Sequence, residues 1–481
     1  MLVIPNRANL FQDRQLLYQF LWDCQQSLME TEQTKIVSIS LEMPEVDPLA
    51  ALQRIAEPEH LHFYFEKRDK EKAKTHRSDF AVAAIDATLH LTVAGSQRFS
   101  RALDFIQSSL ARTITLGSSH LPFSGPHFFC SFTFFEESGS SNSYFPSATI
   151  FLPKWQISKH NHHCILVANI TLDSQTNLQK LTHSIWEQFQ AIQSSQFHPL
   201  TTINNSQKYF HKINWNNPNQ FKESVNSSLD LIHQGYLRKI VLSHAIDVIA
   251  STPLNLTNSL NNLRLLYPDC YIFSVSNGCG QNFMGASPER LISIDNNELL
   301  IDALAGSVPR GNTPPEDVAF ANQLLASDKD LREHRVVVDF ITQRLSHLGL
   351  KPHLLPLPHL LQLSNIQHLW TPIKAQVSSQ IHLLEILAKL HPTPAVAGSP
   401  REIAKEQIRR CESFDRSVYA APLGWVDYRG NGEFAVGIRS AVIDGNRARL
   451  YAGAGIVAGS EPDKELAEIK WKFQAILNAL V

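Results

Sequence analysis

One glutamate in the second half of the chain lies on the line of an apolar helical stripe. In a helix, the i, i+4 series Glu333, Val337 and Ile341 puts this carboxylate beside β-branched side chains, where water cannot solvate it fully. Burying an ionised carboxylate without a partner costs several kcal/mol, so we expect a bound metal ion or a salt bridge. A surface network of Glu333 with Arg332 or Arg335 is an equally good interpretation.

A second set of carboxylates lies close to the carboxyl end of the chain. The spacing of Leu466, Ile469 and Phe473 predicts an amphipathic helix. Glu465 and Glu468 lie along the edge of its apolar stripe. These two carboxylates therefore also need a cationic partner.

A lysine is predicted in the middle of a strand. In residues 238–243, alternation places Ile240 and Leu242 on one face and Lys239 on the other. An edge-strand lysine that discourages aggregation is one interpretation. In the other, the amine is desolvated and uncharged and acts as a general base.

A fourth acidic residue follows a run of small residues. Residues 285–290 place Glu289 in a turn that enters a strand, where its carboxyl group could face a cavity. An ordinary surface turn of Glu289 with Arg290 is about as probable from the residues alone.

An arginine is expected on a hairpin near the carboxyl end. Residues 434–443 and 447–454 read as two strands joined through Asp444 and Gly445, a dipeptide that tolerates positive φ in a tight turn. Arg439 on the first strand offers a bidentate fork for a carboxylate.

Three further groups could meet an anion or a metal. The backbone N–H groups between Gly453 and Gly455 can approach a ligand closely. His391 could donate to an anionic substrate, although a satisfied core histidine is the more common outcome. We reject residues 160–164 as a zinc site, because their three histidines and one cysteine lack the separated ligand pairs of common zinc motifs.

Composition excludes several classes of protein. Lys plus Arg number 43 against 45 Asp plus Glu, so no basic field exists to hold nucleic acid or an anionic membrane. The six cysteines contain no C-x-x-C pair and fit free thiols in a reducing compartment. No apolar run of membrane-spanning length and no signal peptide is visible, so we expect a soluble, cytoplasmic protein.

Both helices and strands are needed to position these residues. Short β-like runs alternate with amphipathic stretches, which predicts a mixed α and β fold. Residues 194–207 are rich in Ser, Thr, Asn and Gln and are the best candidate for a connection between residues 1–205 and 206–481. The first part should complete the sheets of the second, because the edge strands would otherwise be exposed. We therefore expect one structural unit.

The order of these segments resembles the chorismate-utilising enzyme family, and within it the isochorismate synthases of the menaquinone and phylloquinone type. The likeness is strong over residues 206–481 and weak before them, where it rests on residues 47–49 and 128–132. The matching segments are residues 239–243, 285–290, 305–307, 333–334, 391–396, 437–439, 453–457 and 465–472.

The resemblance implies a role for each matching residue. Lys239 would be the base that activates water, and Glu289 the acid that protonates a departing hydroxyl group. Glu333 and Glu468 match magnesium ligands, while Glu465 matches a glutamate that acts near the ion, often through water. The positions that match substrate-binding residues are Gly306, Ser307, His391, Arg439, Gly453, Gly455 and Lys472.

The implied reaction is the Mg²⁺-dependent, reversible conversion of chorismate to isochorismate for quinone biosynthesis. Water attacks ring carbon 2, the double bonds shift, and the hydroxyl group leaves carbon 4. This chemistry requires a neutral lysine and a protonated glutamate, each reversed from its state in solution, which desolvation can accomplish for both.

Relatives with other reactions remain alternatives. Anthranilate and aminodeoxychorismate synthases use ammonia and carry glutamine at the position of Lys239, and the aminodeoxychorismate pattern carries a lysine at the position of Ala305. Salicylate synthases, which also eliminate pyruvate, share the lysine, so the sequence distinguishes them from isochorismate synthases only weakly. A catalytically silent binding module is disfavoured, because the charged residues that match the family's site are all present. They are Lys239, Glu289, Glu333 and Glu468.

The resemblance also implies the architecture. We expect an α/β (α+β) chorismate-binding fold, like that of anthranilate synthase component I, with two packed antiparallel β-sheets, outer helices and a site in the cleft. We expect a monomer that binds chorismate, without nucleic-acid or membrane partners.

Overall fold

The computed structural model describes residues 2–4, 10–11, 13–27, 34–68, 79–117, 120–137, 143–195, 210–215 and 217–481. The described residues form eleven helices: α1 (Arg14–Gln26), α2 (Pro48–Ile55), α3 (Arg98–Ala111), α4 (Leu178–Ser194), α5 (Pro218–His233), α6 (Leu256–Leu266), α7 (Pro314–Ala326), α8 (Asp328–His347), α9 (Leu383–Leu390), α10 (Arg401–Cys411) and α11 (Pro462–Leu477).

The same residues form twenty-one strands: β1 (Leu2–Ile4), β2 (Lys35–Met43), β3 (His62–Lys67), β4 (Phe80–Val93), β5 (Thr113–Gly117), β6 (His127–Phe132), β7 (Ala148–His160), β8 (His163–Leu172), β9 (Phe210–Trp215), β10 (Lys239–Ala250), β11 (Tyr271–Ser276), β12 (Asn282–Ser287), β13 (Arg290–Asp295), β14 (Glu298–Pro309), β15 (His359–Gln362), β16 (Ile366–Gln376), β17 (Gly398–Ser399), β18 (Pro422–Asp427), β19 (Gly432–Val436), β20 (Ser440–Asp444) and β21 (Arg447–Val457).

Strand β7 joins two sheets. It pairs with β4 along its length, with β8 through its carboxyl half and with β6 through its amino end. The first sheet runs in the order β1-β5-β2-β8-β7-β4-β3-β11-β12-β20-β21-β10-β9. The second runs β7-β6-β18-β19-β13-β14-β16-β15. All pairs in both sheets are antiparallel except the two that β5 makes.

The sheets face each other across an aromatic core. The rings of Phe63 on β3 and Phe129 on β6 have centroids 5.2 Å apart, although their strands belong to different sheets. Helix α8 packs on β14 and α11 packs on β21. The predicted mixed fold with packed sheets and outer helices is confirmed, with the addition that the two sheets share β7.

Strands from the first half of the chain pair with strands from the second. Strand β3 pairs with β11, and β6 pairs with β18. Without β3 and β6, the backbone donors and acceptors on those edges of β11 and β18 would have no strand partner. Of the predicted connection at residues 194–207, Ser194 ends α4, and residues 196–207 lie outside the described part of the chain.

The strand predicted over residues 434–443 is wrong as a single element. Strand β19 ends at Val436 and β20 begins at Ser440, with Arg439 between them at φ 50°. The predicted turn is confirmed, since Gly445 has φ 59° between β20 and β21. The break matters because it turns the backbone where Arg439 leaves the sheet.

Helix α8 begins at an N-cap that its sequence encodes. The Ser327 hydroxyl accepts a hydrogen bond from the Asp330 backbone N–H, and Val337 and Ile341 are buried on the inner face. That face carries Glu333 toward the sheets. In the described residues, no helix is both long and apolar enough to cross a bilayer.

Candidate active site

A cavity of about 460 Å³ gathers most of the predicted site residues. It lies where β10, β14, β21, α8 and α11 meet. The predicted residues that line it are Lys239, Glu289, Gly306, Ser307, Glu333, Arg439, Gly453, Gly455, Glu465, Glu468 and Lys472.

Lys239 is a buried residue of a central strand. At its position β10 pairs with Ser399 on one side and Val457 on the other, so the edge-strand interpretation is wrong. The side chain is 1% exposed, and its Nζ lies 2.8 Å from Glu333 Oε1. The surface network proposed for Glu333 is therefore also wrong, and its cationic partner is this lysine.

Glycine at position 455 makes room for the Lys239–Glu333 pair. A Cβ atom on Gly455 would lie 2.5 Å from Glu333 Oε1 and 3.3 Å from Lys239 Cε. The first distance is shorter than any van der Waals contact. The close approach of strand β21 to this ion pair therefore requires the absence of a side chain.

Glu289 is buried in the turn between β12 and β13. The residue is 6% exposed, and its backbone carbonyl accepts a hydrogen bond from Val436 N–H at 3.1 Å. Burial raises the pKa of its carboxyl group to about 8, with Asp302 adding to the rise and Lys239 and Arg439 opposing it. The surface-turn interpretation is wrong, and the carboxyl group is mainly protonated at neutral pH.

Two more glutamates enter the cavity from α11. Glu468 pairs with Lys472 at 2.7 Å, one helical turn away, and Lys472 Nζ also donates to the carbonyl oxygen of Gly453 at 2.8 Å. Glu465 lies 3.4 Å from the amine of Lys329 on α8. Each of the three glutamates predicted near an ion, including Glu333, thus has one lysine partner.

The cavity is crowded with carboxylates. Asp330, which the sequence analysis missed although it lies one turn before Glu333, also lines it. Burial first, and then the carboxylates of Glu333 and Glu468, raise the pKa of Asp330. Among the described residues, no three His, Cys, Asp or Glu side chains converge on one point. These carboxylates nevertheless suit a hard divalent cation, because they offer only oxygen ligands and a cation would relieve the repulsion between them.

Arg439 reaches the cavity from the break between β19 and β20. Its Nη2 donates to His368 Nε2 at 3.1 Å. Its buried Nη1 has no hydrogen-bond acceptor within range among the described residues. The residue lines the cavity, where its guanidinium group can meet an anion.

A β-bulge aims Ser307 into the cavity. In the β14–β16 pair, Ala305 lies opposite Leu369 and Ser307 lies opposite His368, so Gly306 has no cross-strand partner. Gly306 has φ 75°, a conformation that glycine adopts without steric cost. The extra residue turns the Ser307 side chain to the cavity face.

His391 is the one predicted site residue that the cavity does not include. Its Nε2 lies 3.2 Å from the Phe134 carbonyl oxygen, and its ring meets the Phe134 ring edge-on at 5.8 Å. Burial, followed by the charge of Arg98, lowers the pKa of this imidazole well below its ordinary value. The interpretation as a satisfied core histidine is the one that fits.

A buried ion pair behind the cavity holds strand β10, and no pattern along the chain predicted it. Arg416 Nη2 donates to the Val241 carbonyl oxygen at 2.7 Å, and Glu412 Oε1 accepts from Ser243 N–H at 2.8 Å. Arg416 and Glu412 also pair with each other and are 0% and 3% exposed. They fix the backbone just beyond Lys239.

The chain belongs to the chorismate binding enzymes, whose sequence pattern matches residues 20–481. Among curated proteins it is similar to the salicylate biosynthesis isochorismate synthase of Pseudomonas aeruginosa, with 39% identity over 264 residues that cover 54% of each chain. It is also similar to the isochorismate synthase MenF of Bacillus subtilis, with 37% identity over 258 residues that cover 54% of this chain and 55% of the relative. The chain thus spans about half the length of these relatives.

A solved structure is similar over nearly the whole chain. The menaquinone-specific isochorismate synthase of Escherichia coli superposes with a TM-score of 0.74 at 26% identity, which covers 96% of this chain and 99% of that one. The likeness of structure therefore extends well beyond the 54% of the chain that these curated relatives match.

Proposed function

We propose that this chain is an isochorismate synthase, which converts chorismate reversibly to isochorismate. The observation that carries the proposal is the pair Lys239 and Glu289, an amine and a carboxyl group that are both buried and both line one cavity. Burial keeps the Glu289 carboxyl group mainly protonated at pH 7, as its pKa of about 8 requires. The names of the similar proteins point to the same reaction.

Binding of chorismate requires the neutralisation of two carboxylates before the anion enters a low-dielectric cavity. Arg439 contributes a guanidinium group and Ser307 a hydroxyl group, and both residues line the cavity. Lys472 on α11 supplies a second cation to the same cavity. These donors would orient the ring between Lys239 and Glu289.

Glu289 supplies the proton in the proposed reaction. The hydroxyl group on carbon 4 leaves as water when it receives the Glu289 proton and the C4–O bond breaks. The ring double bonds shift as the oxygen of an attacking water forms its bond to carbon 2. Glu289 ends the step as a carboxylate and regains its proton before the next turnover.

Lys239 accepts the proton of the attacking water. This role needs an uncharged amine at the moment of attack, whereas the observed 2.8 Å contact with Glu333 is an ion pair. Glu333 must therefore find another cationic partner when substrate is bound.

We infer that Mg²⁺ is that partner, held by Glu333 and Glu468, with Glu465 acting through water. When bound, the ion would neutralise the carboxylates of the cavity and one carboxylate of the substrate. Magnesium suits this donor set because it prefers oxygen ligands and retains several waters. Lys239 and Lys472, the present partners of Glu333 and Glu468, would then be released toward the substrate.

We further infer that residues 1–205 and 206–481 form one structural unit, supported by the pairing of β3 with β11 and of β6 with β18. A monomeric state, a cytoplasmic location and a role in quinone biosynthesis remain predictions.

One incubation separates this function from its alternatives. The purified chain is mixed with chorismate, Mg²⁺ and ammonium, and the products are resolved by chromatography, with a Lys239→Ala variant as the control. Isochorismate alone supports the proposal. Salicylate plus pyruvate would identify a salicylate synthase, an aminated ring an ammonia-using relative, and no product a silent binding module.

A further inference from the structure

Arg290 follows the proposed acid Glu289 directly in the chain and is a buried cation. The residue is 4% exposed, although its guanidinium group stays charged at any pH at which proteins fold. Such a charge needs partners inside the protein, because burial of an unpaired ion costs several kcal/mol. No step of the proposed reaction uses this cation.

The partners of Arg290 come from both sheets. Its Nε donates to the hydroxyl oxygen of Tyr271 at 2.9 Å and lies 3.2 Å from Glu433 Oε1. The hydroxyl group of Tyr271 donates in turn to Glu433. Tyr271 belongs to β11 of the first sheet, whereas Glu433 belongs to β19 of the second. These three side chains therefore join the two sheets beside the turn that carries Glu289.

A second carboxylate completes this group of side chains. Asp302 on β14 is 4% exposed, and its Oδ2 lies 3.9 Å from Nε of Arg290. Its Oδ1 accepts a hydrogen bond of 2.8 Å from the indole N–H of Trp370 on β16. Five residues thus form a charge cluster: Tyr271, Arg290, Asp302, Trp370 and Glu433. The cluster links the start of β13 to four other strands.

Backbone pairing around Glu289 is sparse. Strand β12 ends at Ser287, and β13 pairs with β14 only from Ser293 onward. On its other edge β13 pairs with β19, but a bulge interrupts that pairing between Arg290 and Ile292. The side chain of Arg290 therefore supplies contacts that the backbone ladder lacks at this point.

The charge cluster backs the turn on the side away from the proposed active site. Glu289 lines the active-site cavity, whereas Arg290, Trp370 and Glu433 line a second cavity of about 620 Å³. Two consecutive residues of one turn thus face different cavities. The cluster holds the second of them, and through the shared backbone it fixes the first.

The cluster also acts on the charge of Glu289. Burial is the largest cause that raises the pKa of this carboxyl group to about 8, and the carboxylate of Asp302 adds to the rise. The cations Lys239 and Arg439, which line the same cavity as Glu289, oppose it. Removal of the Asp302 charge would therefore favour loss of the Glu289 proton.

We propose that Arg290 and Asp302 are positioning residues, which hold Glu289 at the cavity as a proton donor. The proposal rests on the proposed function for the role of Glu289 as acid, whereas the anchoring of the turn does not. In the alternative, the charge cluster only joins the sheets and contributes stability. The two differ in whether a weakened cluster changes the rate and the titration of Glu289, or only the melting temperature.

Kinetics of a mild variant test the anchoring. Tyr271→Phe removes one oxygen atom that bonds to Arg290 and keeps the ring that stacks on Phe65. We expect kcat to fall by about tenfold with KM nearly unchanged, because the acid is misplaced while the carboxylate-binding groups are untouched. Tyr64→Phe is the matched control, since this buried tyrosine donates to Glu66 and neither residue lines the cavity. Wild-type kcat in Tyr271→Phe, or an equal fall in the control, would overturn the proposal.

The pH profile is a measurement that a purely structural cluster would not change. In Asp302→Asn, the decline of kcat at high pH that follows the Glu289 proton should move to lower pH by about one unit. Glu66→Gln removes a different buried carboxylate, 3% exposed, and should leave the decline at its wild-type pH. An unmoved decline in Asp302→Asn would contradict the positioning role.

The titration of Glu289 can also be measured without turnover. Carbon-13 spectra of protein labelled at the glutamate carboxyl carbon follow this group, and its signal is assigned by its loss in Glu289→Gln. The midpoint should lie near pH 8 in wild type and lower in Asp302→Asn. If Asp302→Asn does not fold, Tyr271→Phe decides, because its loosened turn admits water and should lower the midpoint as well. Equal midpoints would refute the positioning role even if the protein forms no isochorismate, so failure of the function and failure of the proposal remain distinct.

Discussion

The amine of Lys239 on β10 and the carboxylate of Glu333 on α8 form a 2.8 Å ion pair in the cavity. One partner matches the family's base and the other matches a magnesium ligand, and in the structure each satisfies the charge of the other. Glu465 and Glu468 have lysine partners of the same kind.

Substitution of Lys239 should abolish the reaction. In Lys239→Ala no group remains to take the proton of the attacking water, so isochorismate formation should fall by far more than tenfold, which is about 1.4 kcal/mol of activation free energy. Product is measured by chromatography. Lys374→Ala, an exposed lysine that pairs with Glu298, is the control. A Lys239→Ala rate within tenfold of wild type would refute the base assignment.

The proton on Glu289 predicts a dependence of activity on pH. The carboxyl group donates only while protonated, so the wild-type rate should fall as pH rises through about 8. Glu289→Gln should be nearly inactive, and any residual rate should lack this decline. A wild-type rate that stays constant from pH 7 to about 9.5 would contradict the acid role.

The same group predicts how stability changes with pH. The pKa of Glu289 is raised from 4.5 to about 8, so between these values the folded state holds a proton that the unfolded chain has lost. Stability contributed by this proton is lost as pH rises. The free energy of unfolding of wild type, relative to Glu289→Gln, should therefore fall across pH 4.5 to 8 and level off above it. Urea denaturation at a series of pH values measures this difference.

Adding one methyl group at Gly455 should disable the site. The new Cβ would lie 2.5 Å from Glu333 Oε1, so either α8 or β21 must shift and the Lys239–Glu333 distance must change. Gly455→Ala should lose at least about tenfold in kcat, because small misplacements of reacting groups are costly. Gly445→Ala, where nothing lies within 4 Å of the new atom, should lose only stability. Equal activities of the two variants would argue against a tight site.

Breaking the buried pair behind β10 should destabilise the whole protein. Arg416→Met leaves Glu412 buried without its cation, which costs about 3–5 kcal/mol in the free energy of unfolding. The double variant Arg416→Met, Glu412→Leu should lose less than the two single variants together. Arg410→Ala on α10, in an exposed pair with Glu406, should cost less than about 1 kcal/mol. Additive losses in the first pair would show that the two residues act separately.

Binding of Mg²⁺ should stabilise the protein as well as activate it. At a concentration 100 times its dissociation constant, the ion should add about 2.7 kcal/mol to the free energy of unfolding. Glu468→Gln should lose most of this gain and most of the activity. Glu461→Gln, which changes an exposed glutamate paired with Lys464, should retain both. A chelator that leaves wild-type activity intact would exclude the magnesium site.

Many residues that line the cavity could be selected from the sequence, because they are charged residues at positions where the pattern predicts apolar ones. A lysine inside an apolar strand and a glutamate on an apolar helical stripe each demand a partner, whatever the fold. Lys239 and Glu333 could therefore be singled out, but not paired with each other, because no pattern along the chain encodes a distance between β10 and α8.

Local patterns also determined several elements. The Asp444-Gly445 turn and the apolar stripe of α11 follow from backbone preferences and periodicity. The break between β19 and β20 at Arg439 could not be predicted in this way, because the pattern of the surrounding residues predicts one continuous strand. Arg439 takes φ 50° because the tertiary structure turns the chain there, and local propensity yields to that constraint.

The sequence alone therefore determined which side chains require a partner, because a charged group at a buried position must be paired. Only the tertiary structure decided their partners. In the folded protein Lys239 pairs with Glu333, and His391 lies beside the Phe134 carbonyl oxygen. His368 lies between Arg439 and Ser307. The physical reason is that hydrogen bonds and ion pairs depend on distances between strands and helices, which the register of the sheets and the packing of the helices fix.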